Sequence, residues 1–319
     1  MSFWQKFTTE IYCIRISELK EGRNIFDLSH LKKIKNIKPP AISITDTHEV
    51  LADPFLFVKN NQLFLFYEDL SAYGGKGVIR MTRSDNMRDW TKPIIVLQEK
   101  FHLSFPFVFE DNGEVYMIPE TYQDLSVRLY KANEELTEWV YIKTLLQGEK
   151  YVDSFVYVQE GIYFLFAPIE SSDHNYVQNL YYSNSLYGNW ILHPSSPIAL
   201  GKEIARNGGA IFCFDNKIYR PAQNCAVRYG GNVGMCKVEI LSANEYKEKL
   251  LYPDIVPKNA YYSEGGHHFC SVRFKGKTVV ATDAIKRSLY FKNIVRRIKK
   301  NILGYYRNYF PLVDLKLEK

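Results

Sequence analysis

A recurring pair of apolar strands is the feature that most constrains how this chain can fold. The clearest copy spans residues 102–121, where the apolar segments 105–109 and 115–118 flank the turn Asp111-Asn112-Gly113. Aromatic and β-branched residues favour buried strands, and Asn-Gly tolerates the positive φ of a tight hairpin. In an antiparallel hairpin the beginning of the first strand lies beside the end of the second. Polar residues at these two places therefore meet on one rim.

Similar hairpins recur along the chain. They begin near Asp53, Ser104, Asp153, Asn207 and His267, at intervals of 51, 49, 54 and 60 residues. A repeat of several strands every 40–50 residues or so is typical of a β-propeller. We therefore predict an all-β fold, a five-bladed β-propeller over residues 1–285, in which an early strand at residues 11–16 closes the ring.

Composition sets bounds on this fold and on its compartment. The chain has 319 residues, enough for one such domain, with 24 Tyr and 20 Phe for its core. Its five cysteines include no C-x-x-C pair, which favours a reducing compartment. No secretory signal and no apolar stretch of membrane-spanning length are apparent, so we expect a cytoplasmic protein.

The positive charge is concentrated near the C-terminus. The net charge is +6, and residues 286–308 hold eight basic and no acidic side chains. Because the charges of residues 309–319 sum to zero, the net charge of residues 1–285 is 6 − 8 = −2. Apolar residues at helical spacing predict a basic amphipathic helix in a C-terminal region, 286–319. We expect it to bind an anionic membrane, peripherally on the inner face of the cell membrane; the alternatives are packing on the propeller or binding a partner. No motif suggests nucleic acid.

The polar residues at the ends of the hairpins form the candidate site. They are Asp53, Glu68, His102, Ser104, Glu120, Asp153, Arg206, Asn207, Arg220, Gln223, His267, His268 and Asp283. Paired carboxylates suit glycosyl transfer, and arginines suit phosphate, with Gly208-Gly209 allowing a ligand to approach the backbone. The alternative is that these groups cap hairpins and pair with one another.

Two resemblances extend this interpretation. Ala52-Asp53-Pro54-Phe55 and its repeats resemble the five-bladed propellers of the arabinanase and β-xylosidase type. That resemblance implies that Asp53 is the catalytic base and that Asp153 is the Asp that tunes a pKa in the site. Where those hydrolases carry a Glu acid, in the fourth hairpin, this chain has Arg206-Asn207-Gly208-Gly209.

The second resemblance covers most of residues 50–285. HLSFPFVFEDNGEVYMIPET, ARNGGAIF, IYRPAQNC and GGHHF resemble the propeller region of plant glucosamine inositolphosphorylceramide transferases and of related bacterial proteins from glycan gene clusters. This resemblance implies a role in glycan biosynthesis. In the plant proteins the region accompanies a separate glycosyltransferase domain.

The missing acid favours a glycosyltransferase, because the diphosphate of a nucleotide sugar leaves without protonation but benefits from cations. We predict transfer of a sugar from a nucleotide-sugar donor to a glycan acceptor, with Asp53, Glu120 and Asp153 as catalytic residues. Arg206, Arg220, His267 and His268 would hold the phosphates, and the other rim residues would bind substrate. No D-x-D motif is present, so neither a metal nor another cofactor is expected. The alternatives are a glycoside hydrolase or phosphorylase with Glu120 as acid, and a non-catalytic glycan-binding propeller.

Overall fold

The computed structural model describes residues 8–39, 48–71, 75–171 and 175–289. Within them the chain folds almost entirely as β-strands, with two three-residue 3-10 turns at Leu28–His30 and Tyr122–Asp124. The predicted all-β class is confirmed. In this described part, no helix has the length and apolar character needed to cross a membrane.

The strands follow the repeat seen in the sequence. β1 (Thr8–Glu18) and β2 (Lys32–Ile37) precede a first unit of β3 (His48–Lys59), β4 (Gln62–Ser71), β5 (Val78–Ser84) and β6 (Ile94–Leu97). The second unit is β7 (Ser104–Asp111), β8 (Glu114–Thr121), β9 (Ser126–Ala132) and β10 (Trp139–Gln147). The third comprises β11 (Phe155–Gln159), β12 (Ile162–Glu170), β13 (Tyr176–Ser183), β14 (Ile191–Leu192) and β15 (Ala199–Gly201).

The fourth unit comprises β16 (Arg206–Asn207), β17 (Phe212–Phe214), β18 (Lys217–Asn224), β19 (Asn232–Leu241) and β20 (Tyr246–Tyr252). The last unit is built on β21 (Phe269–Phe274) and β22 (Lys277–Leu289). Neighbouring strands within each unit pair antiparallel. Each unit therefore presents the beginning of its first strand and the end of its second at the same rim.

The first strand of the chain joins the last unit. β1 pairs with β22 from Thr8 opposite Leu289 to Glu18 opposite Val279. A single parallel bridge, Tyr12 to Val50, then links this unit to the first one.

The predicted boundary after residue 285 falls inside β22 and is corrected to a point beyond Leu289, because the strand continues to that residue. Residues 286–289 are strand residues, and the rest of the predicted basic helix lies outside the described residues.

Aromatic side chains pack the units against one another just below the rim. The ring of Phe55 in the first unit meets Phe105 of the second at 4.8 Å between centroids. Phe107 meets Phe155 of the third unit at 5.9 Å. Burying one such ring stabilises the fold by about 2–3 kcal/mol. These contacts fix the hairpin ends of neighbouring units close together.

The backbone has an uncommon conformation at the start of the first three units. Asp53, Phe105 and Asp153 have φ of 50°, 43° and 43°, a left-handed conformation that few residues other than glycine adopt. The β3–β4 pairing shifts between Ala52 and Phe55, and the β7–β8 pairing shifts between Ser104 and Phe107. Phe105, rather than Ser104, is therefore the second unit's counterpart of Asp53.

Candidate functional site

Most of the predicted rim residues lie together in one buried cluster, here called the polar centre. Its members share a position at a hairpin end and are almost all less than 9% exposed. They are Asp53, Glu68, His102, Ser104, Glu120, Asp153, Arg206, Asn207, Gln223, His267, His268 and Asp283. Burying so many polar groups is costly unless they bond to one another or to a ligand.

The strand register explains which residues are equivalent. Glu68 lies opposite Ala52 in the first unit, and Glu120 lies opposite Ser104 in the second. In the fourth unit Gln223 takes the same position, opposite Arg206. In each of these three units, the strand paired with the first one (β4, β8 and β18) thus delivers a carboxyl or amide group to the same level of the cluster.

One set of hydrogen bonds ties each unit to the next. Asp283 Oδ2 accepts the N–H of Asp53 at 3.4 Å, and Asp53 Oδ2 accepts the N–H of Phe105 at 3.2 Å. Glu120 Oε2 accepts the N–H of Asp153 at 3.1 Å. These bonds hold the residues with left-handed φ in place. Backbone N–H groups therefore occupy one oxygen of Asp53, one of Glu120 and both oxygens of Asp283.

Arg206 occupies the other side of the polar centre. Its Nε donates to Asp153 Oδ2 at 2.5 Å, its Nη2 to Glu120 Oε2 at 3.2 Å and its Nη1 to the Tyr176 hydroxyl at 3.1 Å. The guanidinium also lies 5.2 Å from the ring centroid of Tyr229. Two carboxylates already neutralise this arginine, as the ion-pair alternative anticipated.

Asp153 is one of the most deeply buried of these acids. Its Oδ2 also accepts a hydrogen bond from Gln223 Nε2 at 2.7 Å, whereas Oδ1 is buried with no hydrogen-bond partner in the described part of the chain. Burial raises the pKa of Asp153 well above its usual range, although the positive charge of Arg206 acts in the opposite direction.

Asp53 meets the two histidines of the last unit. His268 Nδ1 lies 3.5 Å, and His267 Nδ1 3.9 Å, from Asp53 Oδ1. Burial disfavours the charged form of Asp53, but the interaction with His268 and the positive charge of His267 hold its pKa at about 2. Asp53 is therefore ionised at neutral pH.

His267 is also paired with Asp283. Its Nδ1 lies 2.5 Å from Asp283 Oδ2. Burial lowers the pKa of His267, but the charge of Asp283 outweighs it and raises that pKa to about 9. Asp53, His267 and Asp283 bring one potential metal-ligand atom each within 4.8 Å of one another. In the absence of a bound ion, His267 is protonated at neutral pH and forms ion pairs with the two carboxylates.

Glu68 and His102 form a separate pair in the polar centre. His102 Nε2 lies 3.3 Å from Glu68 Oε1, and His102 Nδ1 accepts the N–H of Gly77 at 2.9 Å. Gly77 is required here, because a Cβ at that position would lie 2.3 Å from the carbonyl oxygen of Leu103. Burial, followed by the negative charge of Asp53, raises the pKa of Glu68 well above its usual range.

Arg220 does not fit its predicted role in ligand binding. It is fully buried, and its Nε and Nη2 bond to the two carboxylate oxygens of Glu248 at 2.8 and 2.5 Å. Its Nη1 donates to Asn207 Oδ1 at 3.1 Å, and Nη2 also donates to the Ile204 carbonyl at 3.0 Å. Arg220 is thus a structural residue that holds β16, β18 and β20 together.

The glycine pair at the start of the fourth unit is also structural. A Cβ on Gly209, whose φ is 136°, would lie 2.0 Å from the Phe269 carbonyl oxygen. Gly208 accepts the N–H of Phe269 at 2.7 Å through its own carbonyl. The close approach predicted for a ligand is made instead by the backbone of the last unit.

Sequence reasoning missed several residues that complete the site. The rings of Tyr12 and Tyr229 lie 5.5 and 5.4 Å from that of His267, and Tyr176 binds Arg206. With 24 tyrosines in the chain, no motif distinguishes these three. Glu248 was missed because it lies on β20, at the outer edge of its sheet and away from the hairpin pattern.

A cavity adjoins the polar centre on the side of the last two units. It has a volume of about 690 Å³ and lies between residues 224–232 and 254–265. The segment 224–232 lies between this cavity and the polar centre: Arg228 lines the cavity, while the ring of Tyr229 contacts His267.

Sequence comparison places the chain in a known family. Residues 41–281 match the family described as glucosamine inositolphosphorylceramide transferase 1, N-terminal. The chain belongs to this family. The Arabidopsis thaliana protein named glucosamine inositolphosphorylceramide transferase 1 is 38% identical over 233 residues, which are 69% of this chain and 30% of that protein. Its namesake in Oryza sativa subsp. japonica is 35% identical over 263 residues, or 75% of this chain and 35% of that protein. The chain thus spans about a third of the length of these relatives.

Solved structures support the fold. The GH43 protein BlXynB of Bacillus licheniformis superposes with a TM-score of 0.54 at 16% identity, over 72% of this chain and 48% of that chain. The family 117 glycoside hydrolase Zg3597 of Zobellia galactanivorans gives a TM-score of 0.52 at 12% identity, over 88% and 92% of the two chains. This chain therefore shares its fold with these glycoside hydrolases.

Proposed function

We propose that the polar centre binds the sugar of a glycolipid-synthesis substrate and that the chain takes part in glycosyl transfer from a nucleotide-sugar donor. The observation that carries this proposal is the cluster of buried carboxyl and amide groups in a chain whose relatives are named as transferases. Carboxylate oxygens accept hydrogen bonds from sugar hydroxyls. We further propose that the five repeat units are five propeller blades around this centre.

Asp53 is the proposed proton acceptor for the hydroxyl that attacks the donor sugar. It stays ionised at neutral pH, and its Oδ1 is not used in binding the backbone of the next unit. Its low pKa makes it a weak base, so proton transfer occurs late, when the attacking oxygen has become acidic. His267 and Arg206 supply the positive charge that balances this carboxylate and its neighbours.

The donor's phosphates are better placed in the adjoining cavity than against Arg206. That arginine is already paired with Asp153 and Glu120, and a diphosphate there would face the surrounding carboxylates. The cavity offers Lys258 in its wall, together with Arg228, which is itself paired with Glu10 at 2.6 Å and Glu264 at 2.9 Å but lies nearer the surface than Arg206. Its volume of about 690 Å³ is within the usual range of small-molecule sites.

The experiment is to incubate the purified chain with a panel of nucleotide sugars and glycolipid acceptors, and to measure nucleotide release and thermal stabilisation. We expect at least one donor to stabilise the protein and to release nucleotide when an acceptor is present. Asp53→Asn is expected to bind the donor with turnover lowered by roughly 100-fold or more. Failure of every donor to bind or react would count against the transferase.

A glycan-binding role without chemistry is the second candidate. It is favoured by the hydrogen bonds and ion pairs that already occupy Arg206, Asp153 and Glu120, since these leave fewer groups free for chemistry. In that case sugars from the same panel would stabilise the protein without nucleotide release, and the Asp53→Asn variant would still be stabilised by them.

We also propose that the protein is cytoplasmic and peripheral on the membrane, bound through the basic segment. The support is the eight basic side chains in residues 286–308. Because β22 continues to Leu289, the test compares vesicle co-sedimentation of the full chain with that of a chain ending at Leu289. Equal binding to anionic vesicles would contradict the proposal.

A further inference from the structure

We propose that Glu68 is a neutral carboxylic acid at neutral pH and donates a hydrogen bond to an oxygen of the bound ligand. The second half of this proposal rests on the proposed function, since it requires a ligand in the polar centre. The first half concerns the free protein alone. The proposal follows from the hydrogen-bond donors that surround each acid.

The other acids of the polar centre are well supplied with donors. Glu120 accepts hydrogen bonds from the Ser104 hydroxyl at 3.1 Å, from a backbone N–H and from Arg206. Asp283 accepts three backbone N–H groups, from His267 at 2.8 Å, from His268 at 3.1 Å and from Asp53 at 3.4 Å. Such donors stabilise a carboxylate.

The remaining two acids are supplied in the same way. Asp153 accepts from Arg206 and Gln223, and Asp53 accepts from a backbone N–H and lies beside two histidines. Each of these four acids therefore has at least two donors or a cation beside it.

Glu68 is different because, among the described residues, its polar contact is with His102 alone. That histidine is neutral, for a geometric reason: its Nδ1 accepts the N–H of Gly77 and so carries no proton. Burial also lowers the pKa of His102. The ring proton is on Nε2, which faces Glu68 Oε1. In the part of the chain that the structure describes, Glu68 thus has no cation within ion-pair distance.

Neighbouring acids make a charge on Glu68 still less favourable. The negative charges of Asp53, Glu120, Asp153 and Asp283 all raise its pKa. Desolvation of a side chain only 8% exposed acts in the same direction. In a neutral Glu68, Oε1 accepts a hydrogen bond from the Nε2–H of His102, and Oε2 carries the acid proton.

A carboxylic acid proton gives the site a function that carboxylates lack. It can be donated to an oxygen without a hydrogen of its own, such as a ring, glycosidic or phosphate oxygen. Glu68 and Glu120 occupy the same register position in neighbouring units. One is then a donor and the other an acceptor, which would fix the orientation of a sugar between them.

Infrared difference spectroscopy tests the proton directly. The carbonyl stretch of a protonated carboxyl group is separate from the carboxylate bands. At pH 7 we expect Glu68→Gln to remove one protonated-acid band, whereas the matched variant at the equivalent position, Glu120→Gln, retains it. Persistence of the full band in Glu68→Gln would overturn the proposal. Should that variant fail to fold, the absence of any protonated-acid band from the wild type at pH 7 would overturn it equally.

Ligand binding tests the donation, with methyl glucoside and inorganic phosphate as the two probes. For whichever probe binds the wild type, we expect Glu68→Gln, a neutral donor of similar shape, to keep the affinity within about threefold. Glu68→Ala should weaken it roughly tenfold, the effect of one lost hydrogen bond. Equal weakening in both variants would overturn the donation. Binding of neither probe to the wild type would count against the proposed function and the donation together, while the infrared result would still decide the proton.

Discussion

Removing Arg220 should destabilise the protein strongly while leaving its ligand site in place. The side chain is fully buried and forms a two-point ion pair with Glu248, whose side chain is 6% exposed. In Arg220→Met, the Glu248 carboxylate stays buried without its cation. Breaking a buried pair in this way costs about 3–5 kcal/mol, and the lost bonds to Asn207 and the Ile204 carbonyl add to that cost.

A double-mutant cycle, with the free energy of unfolding measured in urea for each variant, tests this loss of stability. We expect Glu248→Leu alone also to destabilise, because it leaves Arg220 unpaired, and the double variant Arg220→Met/Glu248→Leu to recover most of the loss. The interaction energy should be about 3 kcal/mol. Additive losses in the cycle would refute the assignment of Arg220 as a structural partner of Glu248. Ligand affinity in the folded double variant should match the wild type.

Three further predictions concern the polar centre and its backbone. Asp53 has a folded pKa of about 2 against 3.8 in the unfolded chain, so its contribution is present above pH 4 and is lost as the pH falls to 2. The stability advantage of wild type over Asp53→Asn, measured by urea unfolding, should therefore shrink by about 2 kcal/mol over that range, and a constant difference would contradict the assigned ionisation. His267 has a folded pKa of about 9 against 6.5, so its contribution is complete below pH 6.5 and is lost as the pH rises through 9. Relative to His267→Gln, wild type should lose about 3 kcal/mol across this interval, and no change would refute the pairing with Asp283. Gly209→Ala should cost about 3 kcal/mol or more, because its Cβ would clash with the Phe269 carbonyl, whereas Gly113→Ala, with open space around its Cβ, should cost about 1 kcal/mol. Equal melting temperatures for the two glycine variants would argue against this packing.

Much of the fold could be predicted from the sequence because the signal was repeated. Each hairpin combines an apolar run, a turn and a second apolar run, so the strand boundaries in one copy are supported by those in the others. The position of Ser104 shows the limit of this approach. The bulge that makes Phe105 the counterpart of Asp53 depends on strand pairing, which composition does not encode.

The candidate site was predicted as a collection of residue types, but the partners of each residue were not. Arg220 and Arg206 look equivalent in the sequence, since each lies at a hairpin end. β18 turns the Arg220 side chain toward Glu248, whereas Arg206 lies among the carboxylates of the polar centre. Similarly, only the bond from Gly77 reveals that His102 leaves Glu68 without a cation.

The central claim is that the polar centre binds a sugar substrate, and a co-crystal structure tests it most directly. The ligand to use is the sugar or nucleotide sugar that most raises the melting temperature of the full chain. We expect its sugar ring to lie within hydrogen-bond distance of Asp53 and Glu68, with the rest of the molecule extending toward the cavity beside Arg228. A ligand bound elsewhere, with the polar centre holding only water, would contradict the account.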